Sequence, residues 1–329
     1  MTHQVWLVEE PNGRFLQKEV PRPVPKAKQA LIRVSASGVN PLDTKIRAGA
    51  AEHARQPLPA VLCVDMAGTV EDLGPDVKSF QAGDEVYGLV GGVGGLQGTL
   101  AEFIAADVDL LARKPKSLSM REAAALPLSV ITAWEGLVDH AKVGHQHKVL
   151  IHAGAGGVGY IAIQIAQAYG ATVFATVSAE KRGVVEDLGA NSINYRSMSV
   201  EQYLNAFTDG NGFDIIYDTV GGATLDDSFV SAKRYTGHVL SSLGWGTHSL
   251  APLSFRGASY SGVFTLLPLI TGENRAHHGE ILARAASFAD AGKLKPLLRD
   301  EKFTTSDIDS AFARVSARSL GKVVVEING

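Results

Sequence analysis

The seven residues Ala153-Gly154-Ala155-Gly156-Gly157-Val158-Gly159 constrain this chain more than any other stretch, because of what flanks them. Before them, Lys148-Val149-Leu150-Ile151-His152-Ala153 is the continuous apolar run of a buried strand. After them, apolar residues recur at Val158, Ile161, Ala162, Ile165, Ala166 and Tyr169, the spacing of one helix face. A glycine-dense turn between a buried strand and a helix opens a parallel crossover. The chain behind it repeats the alternation. Strands are expected over Thr172–Val177, Ser192–Tyr195, Phe213–Thr219, Gly237–Leu243 and Ser259–Phe264, with a helix over Glu180–Leu188. The expected fold class is therefore α/β, a doubly wound parallel sheet of six strands whose ligands bind at the strands' carboxyl ends.

The N-terminal third has another texture. Short runs such as Ala30-Leu31-Ile32-Arg33-Val34, Met66-Ala67-Gly68-Thr69-Val70 and Glu85-Val86-Tyr87-Gly88-Leu89-Val90, broken by Gly and Pro, read as a small all-β unit. Helix is favoured from Ser119. A further helix is expected over Glu280–Ala291, stopped by Gly292, and a closing strand over Gly321–Ile327 that returns to the first unit. At 329 residues two domains are expected: 1–122 plus 270–329, with 123–269 inserted between them.

Composition excludes several classes. With 45% apolar and 20% charged residues the chain suits a compact soluble protein. A formal charge of −3 offers no basic footprint, so neither nucleic acid nor a membrane is expected as partner. Gly262–Ile270 is too short to span a bilayer, and the N-terminus reads as a strand rather than a signal peptide. Cys63 is the only cysteine, which rules out an intrachain disulfide and any multi-cysteine zinc site, and fits a cytoplasmic, reducing location. Gly91-Gly92-Val93-Gly94-Gly95 has no amphipathic helix after it and reads as a loop. His145, His147, His277 and His278 bring no third ligand, so no metal is expected.

Glycine at the 153–159 turn lets backbone N–H groups approach a pyrophosphate without a Cβ in the way, and the positive end of the helix dipole faces the phosphate charge. A dinucleotide is the ligand expected at Gly154, Ala155, Gly156, Gly157 and Val158. An acid at the end of the second strand would hold the ribose 2′-hydroxyl of NADH. Ser178 stands there instead, followed by Ala179-Glu180-Lys181-Arg182. A hydroxyl followed by two cations suits the 2′-phosphate of NADPH, with Glu180 expected to point elsewhere as a first-turn acid.

Further stretches, in order, are Gly38-Val39-Asn40-Pro41-Leu42-Asp43-Thr44, Asp65-Met66-Ala67-Gly68-Thr69-Val70, Gly83-Asp84-Glu85-Val86-Tyr87-Gly88, Ala123-Ala124-Ala125-Leu126-Pro127, Thr132-Ala133-Trp134-Glu135-Gly136-Leu137 and Gly321-Lys322-Val323-Val324. With the glycine turn they make the chain resemble the medium-chain dehydrogenase/reductases over nearly its whole length, specifically the zeta-crystallin-like, zinc-independent quinone oxidoreductase branch. The resemblance implies a GroES-like β-barrel catalytic domain beside the Rossmann domain, with the active site in the cleft between them. It places Thr132 at the nicotinamide and Ser178, Lys181 and Tyr195 at the adenosine 2′-phosphate. Val220 within Asp218-Thr219-Val220-Gly221, Ser242-Leu243-Gly244 and Val263-Phe264 would line the rest, and Asn40 and Asp43 would face the substrate. It also implies a homodimer formed through sheet edges, with Gly237–Leu243 or its neighbour at the interface. Zinc members carry Cys where Asn40 sits, a His-Glu pair near Val64-Asp65 and a four-cysteine lobe without counterpart here. Many members have tyrosine at the place of Lys45, yet no tyrosine occurs between Ala36 and Ala60, so a tyrosine acid is not expected from that loop.

Without a metal, the acceptor should need little carbonyl activation, as quinones and conjugated enones do. Charge developing on its oxygen would be met by the Asn40 amide or the Lys45 ammonium, and Lys45 would also deliver the proton if it is buried. The expected function is NADPH-dependent hydride transfer to a small-molecule quinone or α,β-unsaturated carbonyl. A 2-enoyl-thioester reductase and a low-turnover NADPH-binding protein with a structural or regulatory role stay open as alternatives.

Overall fold

The computed structural model describes residues 1–317 and 320–327. The chain divides into two compact units, one made of 1–131 and 266–329, the other of 132–265. The first unit opens with β1 (Thr2–Val8), β2 (Leu16–Pro21), β3 (Gln29–Val39), α1 (Pro41–Arg47), β4 (Ala60–Val61), β5 (Asp65–Leu73), β6 (Glu85–Leu89), β7 (Phe103–Asp107), β8 (Leu111–Arg113) and α2 (Met120–Ala124). Helix α3 (Pro127–Trp134) carries the chain into the second unit. There follow β9 (Lys148–Ile151), α4 (Gly157–Ala168), β10 (Thr172–Val177), α5 (Arg182–Glu186), β11 (Asn191–Asn194), α6 (Val200–Thr208), β12 (Ile215–Asp218), α7 (Ala223–Ser231), β13 (His238–Ser241), α8 (Ala251–Ser254) and β14 (Ser259–Gly262). The first unit resumes with α9 (Leu267–Thr271), α10 (Arg275–Asp290), β15 (Phe303–Thr304), α11 (Ile308–Ser316) and β16 (Val323–Glu326).

The division at 131/132 comes later than the change of sequence texture at 122/123. The reason is local packing. A Cβ on Gly38 of β3 would lie 2.3 Å from the carbonyl oxygen of Ala124, so α2 sits directly on the first unit's central strand. A helix that close to a strand belongs to that strand's core, whatever its own composition. On the far side the second unit ends at 265, short of the expected 269, because Leu266 already caps α9 of the returning segment.

In the first unit a seven-stranded sheet runs β15-β16-β3-β5-β6-β8, with β7 also on β3, and a three-stranded sheet runs β2-β1-β4. The antiparallel registers pair Val323 of β16 with Val39 of β3, and Gly38 of β3 with Asp65 of β5. Residues Asn40, Asp65 and Lys322 are thereby brought to one end of three adjacent strands. In the second unit six parallel strands lie in the order β11-β10-β9-β12-β13-β14. Numbered from β9, that is 3-2-1-4-5-6, the doubly wound order in which the connections reverse between the first and fourth strands. Its core joins Leu150, Phe174, Ile193, Ile216 and Val239 from the strands to Tyr203, Leu225 and Phe229 from helices on one face. Of the strands expected at an interface, Gly237–Leu243 or its neighbour, the first is interior and the neighbour β14 takes the sheet edge. The helix expected over Glu180–Leu188 is reduced to α5, behind a 3-10 turn at Ala179–Lys181. No helix among the described residues is long and apolar enough to cross a membrane.

Candidate active site

In the second unit the residues expected at a dinucleotide fall where the strands end, except Thr132, which lies in α3. The glycine turn follows β9, Ser178 and Lys181 follow β10, and Tyr195 follows β11. Val220 follows β12, Ser242, Leu243 and Gly244 follow β13, and Val263 and Phe264 follow β14. Ala153 enters the turn at φ +53°, and the turn is stitched to β10 by N–H bonds from Ala153 to the Thr176 hydroxyl (3.1 Å) and from Gly154 to the Thr176 carbonyl (3.0 Å). A Cβ on Gly154 would stand 2.7 Å from the Ala175 methyl, and one on Gly159 would stand 2.3 Å from the Ala153 carbonyl oxygen. Those two glycines permit close packing. Gly156 and Gly157 are exposed and begin the twelve-residue α4, so its first-turn N–H groups open onto bare backbone. That cradle fits a pyrophosphate.

Asp218, fully buried at the end of β12, pins the neighbouring loops. Its carboxylate accepts the N–H groups of Val220 (2.9 Å) and Gly221 (2.9 Å) and the hydroxyl of Ser241 (2.7 Å). The two loops touch, since a Cβ on Gly221 would lie 2.5 Å from the Leu243 carbonyl oxygen. Thr132 is held by Tyr217, whose hydroxyl donates to its carbonyl at 2.6 Å, and by the Thr265 hydroxyl at 3.0 Å. Phe264 stands edge-on to Trp245 at 5.8 Å. His152, which no sequence signal singles out, lies buried beneath the turn with Nδ1 3.2 Å from the Thr176 hydroxyl. Burial pushes its imidazole down to about 4, so it adds no positive charge there.

The 2′-phosphate end differs from expectation in two side chains. Arg182 is turned to Glu186 at 2.7 Å, the (i, i+4) pairing that an α-helix offers. Glu180 does not point away: its Oε1 meets Arg196 Nη1 at 3.1 Å, because the 3-10 turn sets it beside the loop that follows β11. Arg196 also stands 5.7 Å from the ring centre of Tyr195. The Ser178 hydroxyl, Glu180's own N–H and then Arg196 hold the Glu180 carboxyl below the usual range. Arg196 was legible only as the residue after Tyr195 at a strand end.

In the first unit Asn40 and Asp43 do come together, but inward. Asn40 is 2% exposed and Asp43 fully buried, so neither side chain is the open contact expected of it. The Asn40 amide donates to Asp65 Oδ2 (2.9 Å) and accepts from Lys322 Nζ, while its backbone N–H donates to Asp43 Oδ2 (2.7 Å). Lys322 also donates to Asp65 Oδ2 at 3.4 Å, and Leu128 N–H donates to Asp65 Oδ1 at 2.8 Å. Burial raises the Asp65 carboxyl, with Lys322 opposing it. Asp43 is pushed from 3.8 to about 7, by burial first, with Asp65's charge adding to it, and its Oδ1 has no hydrogen-bond partner. Cys63, at φ +73°, is buried beside Ser37, and burial pushes its thiol well up, so it is no nucleophile.

Lys45 takes no part in this cluster. It is exposed on α1, which removes the condition on which it would deliver a proton; at N3, two residues before it, Asp43 takes the buried face. The cation in the cluster is Lys322, with a side chain 10% exposed. Its ammonium has three N–H groups, of which these bonds use two. No three His, Cys, Asp or Glu side chains among the described residues are grouped to hold a metal ion.

Residues 26–116 match the alcohol dehydrogenase GroES-like domain family, and residues 157–271 match the family described as zinc-binding dehydrogenase. The chain is similar to the chloroplastic NADPH-dependent alkenal/one oxidoreductase of Arabidopsis thaliana, 34% identical over 320 residues, covering 94% of this chain and 75% of that one. Among solved structures it is similar to an alcohol dehydrogenase superfamily protein from Novosphingobium aromaticivorans, with a TM-score of 0.97 and 52% identity over 99% of this chain and all of that one. The quinone oxidoreductase of Coxiella burnetii is similar at a TM-score of 0.83 and 27% identity, each chain covered fully.

Proposed function

Since the chain belongs to the medium-chain dehydrogenase/reductase superfamily, in its quinone and enone oxidoreductase branch, and is an oxidoreductase, we propose that it reduces quinones or α,β-unsaturated carbonyls with NADPH and without zinc. The observation that carries this reading is the dinucleotide cradle, in which the carboxyl ends of all six strands converge around the bare N-terminus of α4. When bound, the reduced nicotinamide supplies a hydride. The protein's own part is to hold and orient. The α4 N-terminus takes the pyrophosphate, the loops pinned by Asp218 fix the middle of the dinucleotide, and Thr132 fixes the reactive end.

Negative charge on the acceptor's oxygen is assigned to Lys322 rather than Lys45. Asn40 and Asp65 both accept from the ammonium and so orient it. The test is NADPH oxidation by purified protein with ortho-quinones, para-quinones, alkenals and crotonyl-CoA, each with and without a chelator. Turnover of the first three, indifferent to chelation, is expected. Loss of turnover on chelation sinks the zinc-free route, preference for the thioester makes the chain an enoyl-thioester reductase, and tight NADPH binding without any turnover makes it a nucleotide-binding protein.

A further inference from the structure

The groups gathered around Glu180 look like an occupied anion site. Ser178 is the residue at which the second strand releases the chain, Lys181 lies one turn on, and Tyr195 and Arg196 come from the loop after the adjacent strand β11. These are the donors that a phosphate on the adenosine ribose requires. In the structure a carboxylate already uses two of them. Glu180 Oε1 is 3.1 Å from Arg196 Nη1, and the Ser178 hydroxyl bonds the same carboxyl. Arg182, the other cation in the segment, is committed to Glu186, which also accepts from Ser192 at 2.8 Å. It is therefore not drawn into the exchange.

We propose that Glu180 is an internal stand-in for the 2′-phosphate, holding Ser178 and Arg196 until NADPH displaces it, and so setting how strongly the protein prefers NADPH to NADH. The proposal rests on the reading of this site as the adenosine end of a dinucleotide site. With a phosphorylated ribose, the phosphate takes the Arg196 guanidinium and the Ser178 hydroxyl, and Glu180 swings into solvent. With an unphosphorylated ribose, Glu180 stays on Arg196 and its free carboxylate oxygen accepts the 2′-hydroxyl. One acid thus serves two purposes: it lowers affinity for NADPH by competing for cations, and it raises affinity for NADH by receiving a hydroxyl. Arg196 becomes a specificity-determining residue rather than a surface cation.

The side chains of Arg196 and Glu180 are 60% and 68% exposed, which makes the exchange readily reversible and its effect modest. Glu180→Gln is expected to tighten NADPH and 2′,5′-ADP by about two- to fivefold, the range of an exposed ion pair, while leaving NADH unchanged or weaker. Arg196→Met is expected to weaken NADPH and 2′,5′-ADP by about tenfold, the scale of one charge-assisted bond, with NADH within about twofold. In the double variant the gain from Glu180→Gln should largely vanish, since there is no guanidinium left to release. Calorimetric titration of the four proteins with NADPH, NADH, 2′,5′-ADP and 5′-ADP reads all of this directly. An NADPH-to-NADH ratio unchanged by Glu180→Gln overturns the stand-in. So does a double variant in which the two effects simply add. Failure of the parent protein to bind NADPH or NADH at all counts against the dinucleotide reading instead, and the two outcomes do not resemble each other.

Discussion

Asp43→Asn should flatten the pH dependence of stability, and the size of the effect follows from the buried cluster. The Asp43 carboxyl is fully buried, lies near Asp65, and is raised from 3.8 to about 7. A group whose folded value exceeds its unfolded one keeps a proton in the native state that the unfolded chain has already released. Its stabilising contribution is complete below the unfolded value and is lost as pH rises toward the folded value. Each pH unit in that interval costs about 1.4 kcal/mol, so between about pH 5 and about pH 8 the protein should lose about 2 to 3 kcal/mol on this account. Full burial means that solvent screening does not reduce the figure. Asparagine retains the oxygen that accepts the Asn40 N–H and removes the titration. Urea unfolding at several pH values, followed by circular dichroism, compares the two proteins. The variant's stability should change less than the parent's across this window, and the difference should close again toward acid. Parallel profiles would refute the assignment of a neutral, buried Asp43.

Two further substitutions address the glycine turn of the second unit and the buried cluster of the first. Gly159→Ala places a methyl 2.3 Å from a backbone oxygen of the turn, and should lower NADPH affinity by about tenfold or more; Gly183→Ala, with nothing within 4 Å, should leave it unchanged, and equal effects of the two would argue against a shaped cradle. Lys322→Met strands the Asp65 carboxylate, which should cost about 3 to 5 kcal/mol near neutral pH and less as acid protonates Asp65. Lys322→Met should also depress kcat more than KM, with Lys322→Arg restoring part of both; a loss below about 1 kcal/mol at neutral pH would mean that Lys322 does not sustain the cluster.

The second unit was legible because its rules are local. Strands β9, β10, β12 and β13 carry short apolar runs closed by turns and α4 repeats an apolar face, so the alternation is readable in windows of ten or so residues, although β11 and β14 are mainly polar. Right-handed crossovers and the doubly wound order then bring the strand ends together. The order places Ser178, Tyr195, Val220, Ser242 and Val263 at strand ends, whereas Thr132 lies in α3 and, like Tyr195, Val220, Ser242 and Val263, is named through the family resemblance rather than from local pattern. The unit boundary was less legible, since α2 is helical like the segment after it and only its packing at Gly38 assigns it to the first unit.

What escaped the sequence depends on side chains that choose among neighbours. Glu180 was legible as a first-turn acid, but its partner Arg196 lies across a strand–helix–strand unit, and the 3-10 turn that aims it is set by packing. The buried cluster is a sharper case. Lys322 reads as the polar residue before an apolar strand and Asp65 as the first residue of another; each is unremarkable alone. Only the register Val323 to Val39 and Gly38 to Asp65 makes them partners of Asn40, across 282 and 25 residues of chain respectively. A one-residue slip in either pairing would turn these side chains to the opposite faces and leave a buried carboxylate without its cation. The same charges that define the candidate chemistry therefore also select the register that creates it, which is why Lys322, and not the more conspicuous Lys45, is the cation the fold retains.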